Sequence, residues 1–194
     1  MPIGAITNGV HLPSWISTTL KELFAQALGN DWEESQDDAA LWEGIDGVSD
    51  DALCAAHQEL KVKRLTFVNE RTRQLWPSRG MEASQVLASG VLLAPEALTI
   101  GFARRFATYK RATLILRDPQ RLEQLLHAER RPLQIIFAGK AHPADGAGKE
   151  LIQQVYQLAQ DAEFAGRIAF LEDYALHMAR FLVQGVDVWL NSPR

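Results

Sequence analysis

Residues 98–117 read LTIGFARRFATYKRATLILR: a short apolar run, a pair of arginines, then a helix-like period. Three further apolar runs follow, at Leu133–Ala138, Ile168–Leu171 and Val186–Leu190. The first three runs begin at 98, 133 and 168, the spacing of a βαβ unit. Between the runs lie three helical patterns. One covers Tyr109 to about Leu126 and breaks at Asp118-Pro119, where Asp caps and Pro suits the first helical position. The others cover about Gly148–Ala162 and about Ala175–Gln184. Strands that are apolar throughout are buried on both faces, as in parallel sheets. The alternation predicts an α/β fold, a partial doubly wound parallel sheet with strand order 3-2-1-4.

Upstream the pattern is different. Residues 1–20 show no helical period, Asn8-Gly9 is a turn signal, and Pro13 discourages regular structure. A short helix is expected over Leu20–Leu28, closed by Gly29-Asn30. Residues 31–47 are acidic, with Trp32, Leu41, Trp42 and Ile45 as apolar anchors. Ser49-Asp50-Asp51 starts a helix, with acids in its first turn. It runs to about Gln74, with Leu53, Ala56, Leu60, Phe67, Val68 and Leu75 near one face. Residues 77–95 read as a linker with a short helix. The expected division is 1–95, an entry segment and mainly helical acidic arm, and 96–194, a Rossmann-like β/α domain.

Composition bounds the function classes. With 194 residues, 47% hydrophobic and 23% charged, the chain is long enough to bury a core. Its one cysteine, Cys54, excludes an intrachain disulfide, and the natural compartment is a reducing cytoplasm. No apolar run approaches the ~18 residues of a membrane span. The net charge of −4 conceals an asymmetry: residues 22–60 hold eleven acids and no Lys or Arg, leaving 13 acids against 20 bases elsewhere. A pI near 5.7 argues against a nucleic-acid binder. The positive charge is local. Residues 101–117 carry Arg104, Arg105, Lys110, Arg111 and Arg117 with no acid, which points to a small anionic ligand.

Ligands of open α/β sheets bind outside the carboxyl ends of the strands. There the first run gives Arg104 and Arg105, with Lys110 at the next helix start. The second gives Lys140 and His142, the third Glu172-Asp173-Tyr174, and the fourth Asn191. Paired arginines on a loop are ordinarily solvated surface. Five bases without an acid at a strand-to-helix turn instead favour a phosphate or carboxylate, with helix amides near Tyr109 and Lys110 as a second anion donor. Other signals fail. The Gly146–Lys149 stretch has Pro143 and Glu150 where a Walker loop needs Gly and Ser or Thr, and Gly101-x-x-Arg104 is no dinucleotide fingerprint. The five histidines show no paired helical spacing, so no metal site is expected. His57, His127 and His177 read as structural. Glu172-Asp173 reads as a cap for the following helix, and Trp32 and Trp42 as filling for the acidic arm.

Taken together, IGFARRFATYKRAT (100–113), IFAGKAHPAD (136–145), FLEDY (170–174) and VDVWLNSPR (186–194) resemble the α-glucan (glycogen/maltodextrin) phosphorylases of the shorter prokaryotic branch. The opening PIGAITNGVHLPSW (2–15) resembles that branch's entry into its second lobe. The resemblance implies a piece of a two-lobed GT-B glycosyltransferase, the Rossmann-like half that holds pyridoxal phosphate and uses the cofactor's phosphate group in proton relay with inorganic phosphate. The reaction implied is transfer of a non-reducing-end glucosyl unit of an α-1,4-glucan to phosphate, giving glucose 1-phosphate. In the family's R/K-R-x-x-x-Y-K pattern, Arg104 falls on the cofactor-phosphate contact, and Arg105 and Lys110 fall on the substrate-phosphate contacts. Tyr109 and Lys140 are further cofactor-side candidates. Better-studied members of that family carry Lys where Arg104 stands. His11 is a candidate for the family's active-site histidine, although the matching gap after Asn-Gly falls on Ser14.

The family continues beyond a segment like Asn191–Arg194 into the lysine that links the cofactor. That lysine is not among these residues, so the resemblance implies an excised piece, inactive alone, whose partner is the remaining lobe. Two other readings stay open: a sugar-nucleotide-dependent GT-B glycosyltransferase, and a non-catalytic α/β binding or oligomerisation module built on the acidic arm.

Overall fold

The computed structural model describes residue 4, residues 9–164 and residues 166–192, with the backbone alone at Ser78 and Arg79. Asn8 of the expected turn, residues 2, 3 and 5–7 of the opening segment, and Pro193 and Arg194 lie outside the described residues. The chain divides into two compact units, Met1–Ala56 and His57–Arg194.

The first unit contains α1 (Leu12–Trp15), α2 (Thr18–Leu28) and a 3-10 segment, Leu41–Gly47. Ser17 opens α2 by accepting from the Leu20 amide at 3.1 Å. Trp32, 2% exposed, packs edge-on against Phe24 and Trp42, and the Trp42 indole N–H donates to Gln36 O at 2.9 Å. These rings are the filling expected for the arm.

The helix α3 (Asp50–Arg79) starts where Ser49 Oγ accepts from the Ala52 amide. It runs past the expected end at Gln74, because Pro77 falls in the last turn, where it forfeits a single backbone bond. Leu53, expected on the buried face, is 47% exposed, whereas Leu60 and Val68 are buried.

In the second unit α3 is followed by α4 (Ala83–Ala88), β1 (Leu98–Ala103), α5 (Pro119–Leu126), β2 (Leu133–Ala138), α6 (Gly146–Gln160), β3 (Ile168–Leu171), α7 (Leu176–Gly185) and β4 (Val188–Trp189). The sheet is parallel throughout, in the order β3-β2-β1-β4. Side chains alternate between its faces. Phe102, Ile135, Phe137, Ile168 and Phe170 meet Leu122 and Leu126 of α5 and Val155 and Ala159 of α6. Ile136, Ala138, Ala169 and Leu171 meet Leu65 and Val68 of α3 and Met178 and Leu182 of α7. The α3 turns from His57 onward therefore cover one face of the sheet.

One stretch differs from expectation. Between β1 and α5 no continuous helix forms. Two 3-10 pieces, Thr108–Lys110 and Ala112–Leu116, are separated by Arg111 in the left-handed region (φ 49°, ψ 47°), which interrupts an α-helical ladder. Asp118 caps α5 through the Arg121 amide, with Pro119 at its first position, as the sequence predicts.

The amino end of the sheet is tied by polar groups. Gln134, fully buried, exchanges hydrogen bonds with the backbone of Ala94 and donates to Thr99 Oγ1 at 2.7 Å. Asp187, just before β4, accepts from the Thr99 amide at 2.7 Å, from Lys61 Nζ at 2.9 Å and from His57 Nε2 at 3.0 Å. Lys61 also donates to Ala97 O. Burial pushes the Asp187 carboxyl up. The Thr99, Lys61 and His57 hydrogen bonds outweigh that and hold it below the ordinary aspartate value. Nearby, Arg64 is fully buried, and none of its three guanidinium nitrogens has a hydrogen-bond partner among the described residues. Burial lowers its pKa to about 10, against an opposing pull from Asp187. Gly185 allows this packing: a Cβ there would stand 2.8 Å from Leu60 O and from Arg64 Cβ.

Two stability measurements follow. Asp187→Asn should cost about 2–4 kcal/mol in urea unfolding at pH 7, because Lys61 and the Thr99 amide lose a charged acceptor. A depressed folded-state pKa stabilises above the unfolded value and is lost as pH falls through the folded value, so the difference between variant and wild type should shrink below about pH 4. Arg64→Met should leave the urea midpoint unchanged or raise it, since an apolar side chain of similar length removes a buried charge without acceptors. A clear fall in the midpoint would mean that the guanidinium is paired.

Candidate anion site at the carboxyl ends of the strands

The chain leaving β1 stays beside the chain leaving β2. The Arg104 amide donates to Ala138 O at 3.1 Å and the Phe106 amide to Lys140 O at 3.0 Å. Gly139 makes the approach possible: a Cβ there would lie 2.0 Å from Arg104 O and 2.8 Å from the Phe106 ring. Phe106 is fully buried, 5.7 Å from the Phe102 ring and 5.9 Å from that of Phe170. With Phe106 anchored inward, its neighbour Arg105 is exposed.

Arg105, Lys140, Ala141, His142 and Tyr174 line one cleft of about 360 Å³. It collects residues from the ends of β1, β2 and β3, two of them fixed cations. Ala144 donates its amide to His142 Nδ1 at 3.2 Å, so the neutral imidazole carries its proton on Nε2 and can donate from there. Burial pushes the Tyr174 phenol up, which keeps it protonated and a donor. All four polar side chains can therefore donate to an anion. Among the described residues, none of Arg104, Arg105, Lys110 and Lys140 forms an ion pair.

The other sequence candidates are placed differently. Arg104 is half-buried, and its Nη1 is buried without a hydrogen-bond partner among the described residues. Lys110 Nζ lies over the Tyr109 ring, 4.7 Å from its centre, and Tyr109 is exposed. Neither Lys110 nor Tyr109 lines the cleft with Arg105 and Lys140. The α-helix start expected near Tyr109 as a second anion donor is replaced by a 3-10 turn, Thr108–Lys110. The Lys110 and Arg111 amides are already given to Ala107 O and Thr108 O in a three-residue turn. His11 belongs to the first unit, where its Nδ1 is 2.8 Å from Ser14 Oγ, so the two candidates for the histidine position bond each other.

The Glu172-Asp173 pair does not cap α7. The cap position is Ala175, and no side chain fills it. Asp173 instead adopts a left-handed conformation (φ 54°), with its Oδ2 3.4 Å from Arg71 Nη2, which also donates to Glu172 O at 3.0 Å. The three remaining histidines have intramolecular partners. His57 bonds Asp187, His127 Nε2 is 2.8 Å from Glu163 O, and His177 stands edge-on to Phe67 and Phe181. A second cavity, about 250 Å³, lies at the edge of β3 between Val68, Arg71, Gln85, Tyr156 and Phe170. Its only cation among the described residues, Arg71, is already engaged by Glu172 and Asp173, so it is the weaker anion site. Sequence reasoning gave Tyr174 no role. Only its place just after a strand end pointed to one.

Gly139→Ala should separate the β1 and β2 exits. We expect a loss of about 2–3 kcal/mol in stability, as for overpacking against backbone. In an amide NMR titration with millimolar phosphate at low salt, wild type should shift at residues 101–112 and around Lys140. The variant should not. Equal shifts in both would show that the close approach does not build the site.

No protein-family profile matches the chain. Individual proteins do. It is 45% identical to the glycogen phosphorylase of Aquifex aeolicus over 192 residues, 99% of this chain and 28% of that protein. It is 45% identical to the glycogen phosphorylase of Mycobacterium tuberculosis over 193 residues, 100% of the chain and 22% of that protein. It is 41% identical to the maltodextrin phosphorylase of Thermococcus litoralis over 194 residues, 100% of the chain and 23% of that protein. The chain thus spans about a quarter of the length of the curated relatives it matches, and its parallel sheet and strand-end cations lie wholly within the matched stretch. Over that stretch, the chain is homologous to a segment of the prokaryotic glycogen and maltodextrin phosphorylases.

Proposed function

We propose that the chain is part of the cofactor-binding lobe of an α-glucan phosphorylase, which transfers a terminal glucosyl unit of an α-1,4-glucan to inorganic phosphate. In this reading residues 1–95 enter the lobe and 96–194 form its Rossmann-like sheet. The remaining lobe is the obligate partner, and the single cysteine favours a cytosolic setting. The observation that carries the reading is the cation cluster at the carboxyl ends of β1 and β2, in a chain 45% identical to named phosphorylases.

Two phosphate groups in one pocket repel each other, and fixed cations offset that repulsion without reorganising during the reaction. Arg105 offers a planar fork and Lys110 a point charge to the substrate phosphate. Lys140, His142 Nε2–H and the Tyr174 hydroxyl supply further donors along the cleft.

Pyridoxal phosphate fits this end of the sheet on one observation. Arg104 Nη1 is a buried donor without a partner among the described residues, matched in chemistry to a phosphate oxygen. When bound, that cofactor supplies a phosphate group that exchanges a proton with inorganic phosphate. Arg104 would hold it, with Tyr109 and Lys140 as further contacts.

In the full-length enzyme, Lys110→Ala and Arg105→Ala should each lower phosphorolysis by about 30- to 1000-fold, the loss of one charge-assisted transition-state contact. Thermal stability should change little, because both residues stand outside the core. Near-normal activity in both variants would remove them from the mechanism. Glucosyl transfer from a nucleotide sugar without phosphate would instead favour a synthase-type glycosyltransferase.

A further inference from the structure

The Lys110 turn is fastened to the chain that leaves β4. Arg111 Nε donates to Ser192 O at 2.7 Å. Ser192 Oγ stands 3.3 Å from Lys110 O and 3.4 Å from Arg111 O. Since β1 and β4 are parallel, with Leu190 N bonded to Gly101 O, both chains emerge at the same end of the sheet. Arg111 holds its left-handed backbone conformation without being glycine, an arrangement that persists only where surrounding contacts fix it. Here the guanidinium and the Ser192 hydroxyl are those contacts.

We propose that Arg111 is a positioning residue for the anion site: its clamp on Ser192 sets the turn that presents Lys110. Phosphate binding and the docking of the Asn191-Ser192 segment are then one coupled event. By linkage each favours the other. A lysine carried on an unfastened turn samples many positions, and pre-organisation is what a flexible four-carbon stem lacks. The clamp rests on the proposed phosphate site, and its test distinguishes the two.

The experiment is an amide NMR titration of the chain with inorganic phosphate at low salt, on wild type, Arg111→Gly and Arg111→Lys. Glycine accepts the left-handed conformation, so Arg111→Gly keeps the turn and removes the clamp. Lysine keeps the charge and the backbone strain but lacks the Nε–H. In wild type the Ser192 amide should follow phosphate with the same midpoint as Lys110. In both variants phosphate should bind about three- to tenfold more weakly at Lys110, and Ser192 should stop responding, with the thermal midpoint of Arg111→Gly unchanged. Arg111→Lys behaving like wild type would reduce Arg111 to a charge and overturn the clamp. Unaltered binding in both variants would do the same while leaving the phosphate site standing. A wild type that does not respond to phosphate would remove the site and the clamp together.

Discussion

The carboxylate of Asp187 accepts from α3, through Lys61 and His57, and from β1, through the Thr99 amide. β4 is only two residues long, and its ladder with β1 is correspondingly short. The carboxylate reinforces the backbone bonds from Asp187 N to Thr99 O and from Leu190 N to Gly101 O that fix the height of β4 along β1. Lys61 is the counterpart. Its side chain is only 6% exposed, so its charge has to be met internally, and Asp187 and Ala97 O meet it. The node therefore ties the register of the fourth strand to the seat of α3. Everything at the other end of the sheet inherits that register, including the level at which Asn191 and Ser192 emerge beside Arg111.

The two ends of the sheet divide the work. At the amino end, two polar side chains are fully engaged: Gln134 with Ala94 and Thr99, Asp187 with its three donors, while the buried Arg64 guanidinium has no acceptor among the described residues. At the carboxyl end two cations, Arg105 and Lys140, line one cleft. Among the described residues, no acid lines the cleft of Arg105, Lys140, His142 and Tyr174. The nearest carboxylate by sequence, Asp173, turns back toward Arg71 on α3. Like charges held together cost free energy in the free protein, and an arriving anion recovers it. That is electrostatic pre-organisation.

The sequence exposed whatever depends on period and composition. Short, mainly apolar runs located all four strands, and their spacing pointed to a parallel sheet; the expected order 3-2-1-4, which spacing alone does not fix, is the observed one. The cation cluster was legible because the strand ends were, and Arg105 and Lys140 do share a cleft. What stayed hidden depends on side chains distant in sequence. Nothing local says that α3 covers a sheet whose first strand begins about twenty residues after it ends. The acid within Val186–Leu190 was the one visible sign of the Asp187 node, but its partners lie about 90 to 130 residues away. The left-handed turn at Arg111 is invisible to propensity, because arginine is a good helix former and the segment around it has a helical period. Tertiary contacts override that local preference, and the same contacts reach Ser192.

Backbone strain follows the same division. Among the described residues, the non-glycine positions with positive φ are Arg111 and Asp173. Both lie in loops at the carboxyl ends of strands, one after β1 and one after β3. Each costs on the order of 1 kcal/mol relative to an ordinary conformation. Each is held by an arginine contact across the fold: Arg111 through its own guanidinium to Ser192, Asp173 through Arg71 of α3. The second of these brings the chain through Asp173 to Tyr174, whose side chain lines the cleft. The first interrupts a helix that would otherwise carry Lys110 and its neighbours away as a regular ladder. In both loops the strained residue adjoins one that serves the anion site, Lys110 before Arg111 and Tyr174 after Asp173. The strain is thus confined to the end of the sheet where side chains must be aimed, and the Asp187 and Gln134 ties at the amino end supply the stability that tolerates it.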